Sequence, residues 1–199
     1  MTLLSIIIPV FNEEQSLPHL RSRLDDLIVT LDVDVEIWLV DDHSSDNSPV
    51  LIQDICQQDM RYNYIRLASN SGSHIALLAG LRQCSGDCVT MIAADLQDPP
   101  ELIPELLSHW REGNKIVWGV RAAREGISKR ELFFANLFYR LLNQFSDVKL
   151  PPSGADYSML DRDVIDALLQ SVGANPSLAL EVARLGFKQI EIPYVKEDF

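Results

Sequence analysis

The sequence predicts an α/β fold in which a mostly parallel central sheet is covered by helices on both faces. Five β-rich apolar runs alternate with stretches whose apolar residues recur at helical spacing, which is typical of a doubly wound sheet. The first run is an almost unbroken apolar stretch, which is typical of a parallel strand buried on both faces. The five runs cover residues 3–10, 35–40, 62–67, 87–94 and 115–120. With 199 residues, the chain is long enough for one large domain with its own core.

The helices between these strands are predicted from spacing and capping residues. The first is expected to be capped by Asn12 and to extend to about residue 31, with one face formed by Leu17, Leu20, Leu24, Leu27 and Leu31. Further helices are expected at residues 49–58, 75–83, 101–111, 162–171 and 177–185. A closing strand is predicted at residues 187–195.

Residues 115–149 differ in charge from the rest of the chain. Seven basic and three acidic residues give this window a charge of +4, within a chain of net charge −12. Its segment 131–145 has an apolar, aromatic helical face formed by Phe134, Leu137, Phe138, Leu141, Leu142 and Phe145. Such a helix can dock on a protein core or lie at a membrane surface, and both alternatives stay open.

The overall composition excludes some functions. The net charge of −12 and the lack of a basic stripe argue against a nucleic-acid partner. Three cysteines at no zinc-binding spacing indicate a reduced, cytoplasmic compartment. No secretory signal is visible and no apolar run approaches the ~18 residues of a membrane-spanning helix, so we expect a soluble chain. Because the last residues carry no stop signal, a C-terminal membrane region is suspected to be missing.

Polar side chains follow three of the predicted strands. Asn12 and Glu14 follow the first strand, Asp41 and Asp42 end the second, and the fourth leads into Asp95, Gln97 and Asp98. In α/β proteins, ligands bind just beyond the carboxyl ends of the strands. Carboxylate and amide oxygens there suit Mg²⁺ or Mn²⁺, which in turn hold phosphates. The alternative is structural: a helix cap at Asn12, a turn at Asp41 and Asp42, and an ordinary polar loop after the fourth strand.

Three common motifs are absent from the sequence. The glycine pattern G-x-G-x-x-G of dinucleotide-binding folds does not follow the first strand. The phosphate-binding pattern G-x-x-x-x-G-K-[ST] and the hydrolase pattern G-x-S-x-G are also missing. A nucleotide ligand would therefore have to be held in another way.

Four segments in order resemble glycosyltransferase family 2. They are S-I-I-I-P-V-F-N-E-E, V-D-D-H-S-S-D-N-S, N-S-G-S-H-I-A-L-L-A-G-L and A-D-L-Q-D-P-P-E, which begin at residues 5, 40, 70 and 94. The sequence is most similar to the polyprenyl-phosphate glycosyltransferases, and the resemblance extends from residue 4 to about 194. It implies a single GT-A domain over residues 1–199, with a nucleotide-sugar-binding half at 1–121 and an acceptor-side half at 122–199.

The resemblance also implies roles for individual residues. The nucleotide sugar would be contacted by Pro9, Val10, Asn12, Glu14, Asp41, Asp42, Asn70, Gly72, His74, Arg121 and Arg124. Asp42, supported by Asp41, would bind the base. Asp95 and Gln97 would hold the metal, Mg²⁺ or Mn²⁺, and Asp95 and Asp156 would be the catalytic residues. The alternatives for His74, Arg121 and Arg124 are solvated surface positions.

The sequence departs from the family pattern at two places. The family usually has Asp-x-Asp before Leu-Gln, whereas Ala93 stands at the first aspartate position. Because this carboxylate is missing, we expect either that the site binds the metal more weakly or that Asp98 supplies the missing carboxylate. The family's Gly-Asp-Phe-Arg reads Ala155-Asp156-Tyr157-Ser158, so an arginine expected near the acceptor is also lost.

The function implied is inverting transfer of a sugar from a nucleoside-diphosphate sugar, favoured to be a UDP-sugar, to a polyprenyl phosphate. The protein would work in the cytoplasm at the inner face of the membrane, which it would contact through residues 131–145. A homo-oligomer is compatible with the sequence. The alternatives are a family member with a saccharide acceptor and a nucleotide-sugar-binding module impaired by the loss at Ala93.

Overall fold

The computed structural model describes residues 1–121, 157–171 and 178–196. Three features predicted from the sequence lie outside these ranges: Arg124, Asp156 and the helix at residues 131–145.

A seven-stranded sheet forms the centre of the protein. Its strands are β1 (Leu3–Val10), β2 (Asp34–Asp41), β3 (Tyr62–Arg66), β4 (Cys88–Met91), β5 (Ile116–Arg121), β6 (Tyr157–Asp161) and β7 (Gln189–Tyr194). They are arranged in the order β3-β2-β1-β4-β6-β5-β7. Four of the six neighbouring pairs are parallel, and β6 is antiparallel to both of its neighbours. The prediction of a mostly parallel sheet is confirmed.

Helices cover both faces of the sheet, as predicted. They are α1 (Leu17–Ile28), α2 (Ser48–Gln58), α3 (Ser73–Gln83), α4 (Ile103–Arg111), α5 (Arg162–Ser171) and α6 (Leu178–Arg184), with a 3₁₀ turn at Pro100–Leu102. One apolar core joins the sheet to α1, α2 and α4, and a second core on the other face joins it to α3, α5 and α6. Burial on both faces explains why the first two strands are predominantly apolar.

The prediction for the start of α1 is wrong. Asn12 does not cap this helix, because its backbone is left-handed, with φ of 57°, and the helix begins only at Leu17. The backbone N–H groups of Ser16 and Leu17 donate to the carbonyl of Glu13, and Pro18 lies in the first helical turn. Residues 11–16 therefore form a loop beyond β1, which leaves the Asn12 side chain free for other contacts.

Strand β4 is shorter than predicted. It ends at Met91, although the apolar sequence continues to Ala94. Ile92 makes one further hydrogen bond, from its N–H to the carbonyl of Ile7, and the chain then turns. The turn brings Ala93 and Asp95 toward the end of β1, where they line a cavity described below.

Among the residues that the structure describes, no helix is both long and apolar enough to cross a membrane. Cys84 and Cys88 are buried and Cys56 is half-buried, all three as free thiols. Burial raises the pKa of each of these thiols, which keeps them protonated.

Candidate active site

The carboxyl ends of β1, β2, β3 and β4 lie side by side at one edge of the sheet, and each leads into a loop with a left-handed residue. In the described residues, the non-glycine positions with positive φ are Asn12, His43 and Leu96, which follow β1, β2 and β4. Gly72, with φ of 88°, lies in the loop after β3. Left-handed backbone costs a non-glycine residue roughly 1–2 kcal/mol. Strain of this kind, gathered at one edge, is typical of a functional site.

The loop after β1 is bound to the loop after β2. Asn12 Oδ1 accepts the backbone N–H of Ser45 at 2.8 Å, and the N–H of Asn12 donates to Ser44 Oγ at 3.0 Å. Glu14 takes part in the same arrangement, since its Oε2 accepts the N–H of Asn47 at 2.9 Å. Asn12 and Glu14 line an open depression between the two loops.

Asp41, at the end of β2, is fully buried and supports this region from below. Its Oδ1 accepts the backbone N–H of Ser44 at 2.8 Å. Its Oδ2 accepts the hydroxyl of Tyr64 at 3.3 Å and lies 3.4 Å from Arg66 Nε. The buried charge is thus compensated by hydrogen bonds and a cation, as burial requires.

Asp42 connects the end of β2 to the loop after β3. One carboxylate oxygen accepts the backbone N–H of Ser71 and the other that of Gly72, each at 2.7 Å. The side chain is 3% exposed, and the part that remains accessible lines a cavity. Each carboxylate oxygen can accept a second hydrogen bond, so Asp42 keeps capacity for a ligand.

Asp95 and Gln97 lie in the loop after β4, on either side of Leu96. Asp95 Oδ1 accepts the backbone N–H of Gln97 at 3.0 Å. Leu96 has a φ of 60° and its side chain is completely buried in the core. A buried leucine therefore anchors the strained turn that presents Asp95.

The donor set in this loop fits a hard cation bound together with phosphates. The described residues contain no group of three or more His, Cys, Asp or Glu side chains that could hold a metal by themselves. Mg²⁺ is commonly held by one or two carboxylates, with substrate phosphates and water completing its shell. Asp95 supplies one such carboxylate, and Ala93 beside it supplies none.

Two adjoining cavities open at this edge. The smaller, of about 200 Å³, is lined by Pro9, Val10, Phe11, Glu13, Asp42, Ser73, Ala93, Ala94 and Asp95. The larger, of about 370 Å³, has His74, Asp98, Arg121 and Lys196 among its lining residues. Pro9, Ser73 and Ala93 line both cavities, which therefore share a wall.

Asp98 is buried beside the larger cavity and is bound by the last strand. Its Oδ1 accepts the hydroxyl of Tyr194 at 2.6 Å. Burial and the bond to Asp98 raise the pKa of Tyr194, and the nearby Arg121 opposes this shift. The ring of Tyr157 packs edge-on against that of Tyr194, with centroids 5.6 Å apart, and its hydroxyl donates to the carbonyl of Pro99 at 3.0 Å. These contacts fix residues 98 and 99 against β6 and β7.

The comparison with known families decides the class of this protein. Residues 5–169 match the family described as glycosyl transferase family 2. The chain belongs to this family. The fold expected from the resemblance, GT-A, is also confirmed, since GT-A glycosyltransferases are the structural neighbours of the chain.

Relatives of this family 2 chain include both uncharacterized glycosyltransferases and proteins of named activity. An uncharacterized glycosyltransferase of Synechocystis is 37% identical over 194 residues, which are 98% of this chain and 61% of the relative. An undecaprenyl-phosphate 4-deoxy-4-formamido-L-arabinose transferase of Pseudomonas fluorescens is 37% identical over 166 residues, 83% of this chain and 48% of the relative. The chain thus spans about three fifths or less of these relatives.

A solved structure has the same fold as this family 2 domain. Glucosyl-3-phosphoglycerate synthase from Mycobacterium tuberculosis, in complex with Mn²⁺, UDP and glucosyl-3-phosphoglycerate, superposes with a TM-score of 0.65. It is 24% identical, and the match covers 100% of this chain and 72% of that one.

The structure brings together part of the predicted site of this family 2 chain. Pro9, Val10, Asp42 and Asp95 line the smaller cavity, and His74 and Arg121 line the larger. Asn12 and Glu14 border the depression beside them, while Gly72 is held by Asp42. Asp41 is buried beneath the loops, Asn70 is exposed, and Gln97 contacts Asp95 through its backbone. The ligand contacts assigned to these residues stay predictions.

The residues at the cavities that were not predicted as site residues include four with side chains able to contact a ligand through an aromatic ring, a hydroxyl or a charge. Phe11 is an aromatic side chain, 46% exposed, at the smaller cavity. Tyr194, Lys196 and Ser158 lie at or beside the larger one. The sequence does indicate Phe11, because it is an aromatic residue placed directly between the first predicted strand and Asn12. The other three reach the site only because β6 and β7 join the sheet next to β4 and β5, which no local pattern indicates.

Proposed function

We propose that this chain is the catalytic domain of a glycosyltransferase that moves a sugar from a nucleoside-diphosphate sugar to a polyprenyl phosphate. One observation carries the proposal: Asp42 and Asp95 face a common cavity at the carboxyl ends of β2 and β4, in a family 2 fold. Residues 1–121 would bind the nucleotide sugar, favoured to be a UDP-sugar, and residues 122–199 would form the acceptor side.

Asp42 would bind the base of the nucleotide, while Asp41 holds the loop after β2 in place through the N–H of Ser44. The hydrogen bonds that Asp42 accepts from Ser71 and Gly72 support this role, because they fix its carboxylate in one orientation before a ligand arrives. Such preorganisation reduces the entropic cost of binding. Arg121 and Arg124 would approach the phosphates and offset the negative charge of the chain.

Asp95 and Gln97 would hold Mg²⁺ or Mn²⁺. When bound, the cation supplies Lewis-acid stabilisation of the departing diphosphate. The contribution of the chain is to present Asp95 on a strained turn anchored by Leu96. The loss of a carboxylate at Ala93 leaves the site dependent on the diphosphate oxygens of the substrate.

The proposed acceptor is a lipid phosphate. The name of the Pseudomonas fluorescens relative, an undecaprenyl-phosphate transferase, supports this choice. A phosphomonoester has a second pKa of about 6 and is largely dianionic at neutral pH, so it needs little help from a general base. Asp156 would therefore orient the acceptor rather than deprotonate it, and inversion would follow from direct attack on the sugar.

A transfer assay tests the proposal. The protein is incubated with Mn²⁺, a radiolabelled UDP-sugar or GDP-sugar, and undecaprenyl phosphate, and the product is partitioned between organic and aqueous phases. We expect label in the organic phase, and its loss in Asp95→Asn. Label transferred to an added saccharide instead would favour a saccharide acceptor, and binding without transfer or hydrolysis would favour an impaired module.

We also propose that the aromatic segment at residues 131–145, which lies within the basic window 115–149, contacts the cytoplasmic face of the membrane. The apolar face of the segment and the +4 charge of the window support an interfacial position. Flotation with vesicles of phosphatidylglycerol and phosphatidylcholine tests this. Binding should fall when Phe134 and Phe138 are replaced by serine. It should be retained in the control, in which the exposed Val29 and Met60, distant in sequence from residues 131–145, are replaced by serine. Equal binding of both double variants would contradict it.

A further inference from the structure

The larger cavity has a floor made of three side chains from adjacent strands. Met91 of β4 pairs with Ser158 of β6, and Ser158 pairs in turn with Trp118 of β5. Because directly paired residues point to the same face of a sheet, these three side chains stand in one row beneath the cavity. All three line it. Ser158 is the polar member at the centre of the row.

The hydroxyl of Ser158 is buried without a hydrogen-bond partner among the described residues. The residue is 0% exposed, and in the part of the chain that the structure describes its Oγ makes no hydrogen bond. Trp118 beside it does have a partner, since its Nε1 donates to Gln189 Oε1 at 2.8 Å. Burying a hydroxyl without a hydrogen bond costs free energy, and such groups call for an explanation in the molecule's function.

Ser5 shows what a structural buried serine looks like in the same sheet. It is also 0% exposed, but its Oγ donates to Glu36 Oε1 at 2.7 Å and accepts the backbone N–H of Gly86 at 2.9 Å. The hydroxyl of Ser5 is satisfied within the protein. Ser158, in contrast, lines the larger cavity, and its hydroxyl has no partner among the described residues.

The surroundings of Ser158 suit a neutral, hydroxyl-bearing group that is attached to a phosphate. The cavity is apolar over most of its wall, through residues such as Leu77, Ile92 and Val182. Its basic groups Arg121 and Lys196 are only half-buried, and its buried carboxylate, Asp98, accepts the hydroxyl of Tyr194. It adjoins the smaller cavity through Pro9, Ser73 and Ala93. Binding sites of this kind use a few placed polar groups to orient a ligand in a mostly apolar pocket.

We propose that Ser158 hydrogen-bonds a hydroxyl of the sugar carried by the nucleoside diphosphate, and so helps to select the sugar. This inference rests on the proposed function. It assigns the smaller cavity to the nucleotide and the larger, whose wall comes from both halves of the chain, to the sugar at the point where it meets the acceptor side. Ser158 is a specificity residue in this assignment, since its hydroxyl can both donate and accept. A sugar lacking the matching hydroxyl would leave it unpaired again, which is how sites of this kind reject analogues.

Titration calorimetry with the wild type, Ser158→Ala and Ser5→Ala tests the assignment. The probes are UDP-glucose and GDP-mannose, each compared with UDP or GDP, in the presence of Mn²⁺. For whichever nucleotide sugar the wild type binds, Ser158→Ala should bind roughly tenfold more weakly, as expected for one lost hydrogen bond. Its affinity for the matching nucleoside diphosphate should not change.

The melting temperature separates this effect from a folding defect. Ser158→Ala removes an unpaired hydroxyl and should melt no lower than the wild type, whereas Ser5→Ala breaks two hydrogen bonds and should melt lower. Ser5→Ala should bind both ligands as the wild type does.

Three results would overturn the inference. One is an unchanged affinity of Ser158→Ala for the nucleotide sugar, with the wild type binding it, which would leave the proposed function standing. Another is an effect confined to the Michaelis constant for undecaprenyl phosphate, which would assign Ser158 to the acceptor. Absence of any nucleotide binding by the wild type would remove the proposed function and this inference with it.

Discussion

One carboxylate oxygen of Asp42 accepts the backbone N–H of Gly72 at 2.7 Å, which ties the end of β2 to the loop that leads into α3. The other oxygen makes an equal bond to the N–H of Ser71. A short acidic side chain thus sets the position of a loop some thirty residues later. The same residue faces the smaller cavity, so the shape of this loop and the properties of the cavity depend on one group.

Asp42→Asn should weaken both the fold and nucleotide binding. The asparagine side chain has one acceptor oxygen where aspartate has two. Its NH₂ group would therefore face the backbone N–H of either Ser71 or Gly72, and two donors would oppose each other. We expect a loss of about 1–3 kcal/mol in the free energy of unfolding, measured in urea, and at least tenfold weaker binding of the nucleotide. Asp26→Asn on the exposed face of α1 is the matched control and should change neither. Wild-type affinity in Asp42→Asn would contradict a role for this residue at the site.

The left-handed backbone at Leu96 predicts an unusual order of stabilities. Glycine in place of alanine normally costs up to about 1 kcal/mol inside a structural element. At Leu96, with φ of 60°, glycine relieves strain that alanine keeps. Leu96→Gly should therefore be more stable than Leu96→Ala by about 1 kcal/mol in urea unfolding, although both lose the buried side chain.

The equally buried Leu106 in α4 provides the control for this comparison. There the helical backbone favours alanine, so Leu106→Gly should be less stable than Leu106→Ala by about 1 kcal/mol. The same order at both positions would show that the turn at Leu96 is not strained.

Tyr194→Phe and Tyr157→Phe should differ in cost. The hydroxyl of Tyr194 donates to a buried carboxylate, Asp98, whereas that of Tyr157 donates to a neutral carbonyl, that of Pro99. Hydrogen bonds to charged groups are roughly twice as strong as neutral ones. We expect losses of about 1.5–3 kcal/mol for Tyr194→Phe and about 1 kcal/mol for Tyr157→Phe. A larger loss for Tyr157→Phe would contradict the charge-assisted bond at Asp98.

Asp161 makes part of the stability dependent on pH. Its carboxylate accepts hydrogen bonds from Trp110 Nε1 and Lys115 Nζ, each at 2.8 Å, and from the N–H of Asp163. Burial acts to raise its pKa, but these hydrogen bonds, that of Lys115 first, bring the pKa below its ordinary value. Since the folded pKa lies below the unfolded one, this contribution is complete above the unfolded pKa of about 4 and is lost as pH falls through the folded pKa.

The melting temperature of Asp161→Asn, measured from pH 7 to pH 3, checks the sign of this effect. The variant should be less stable than the wild type at pH 7 and 5, and the difference should shrink below about pH 4. Asp163→Asn, at a carboxylate whose side chain is 66% exposed, should show a much smaller difference at every pH. A difference for Asp161→Asn that grows with acidification would refute the assignment.

The sequence predicts the sheet better than the loops at its edge. Strand β1 is found at the expected residues because a short apolar run rich in β-branched residues is typical of a strand buried on both faces. Asn12 was misassigned because asparagine suits a helix cap and a left-handed turn equally well, and only the contact with Ser45 decides between them. The prediction extended β4 through residues 92–94 because they are apolar. In the structure, the chain turns at these residues and enters the site.

The remaining site residues depend on the order of the strands. Ser158 and Tyr194 lie at the cavities because β6 inserts between β4 and β5, and β7 pairs with β5. A five-residue strand such as β6 carries no local signal for its neighbours or its direction. Likewise, the Oγ of Ser158 is recognisable as an unpaired buried group only in three dimensions.

The most direct test is a thermal-shift measurement of the wild type and Asp95→Asn with UDP- and GDP-sugars, each with and without Mn²⁺ or Mg²⁺. A ligand at one hundred times its dissociation constant stabilises the folded state by about 2.7 kcal/mol, which is roughly 5–10 °C for a domain of this size. We predict such a shift for at least one nucleotide sugar with the wild type, only when the metal is present, and its loss in Asp95→Asn. No shift with any uridine or guanosine ligand, or an equal shift in Asp95→Asn, would contradict a metal-dependent nucleotide-sugar site at this edge of the sheet.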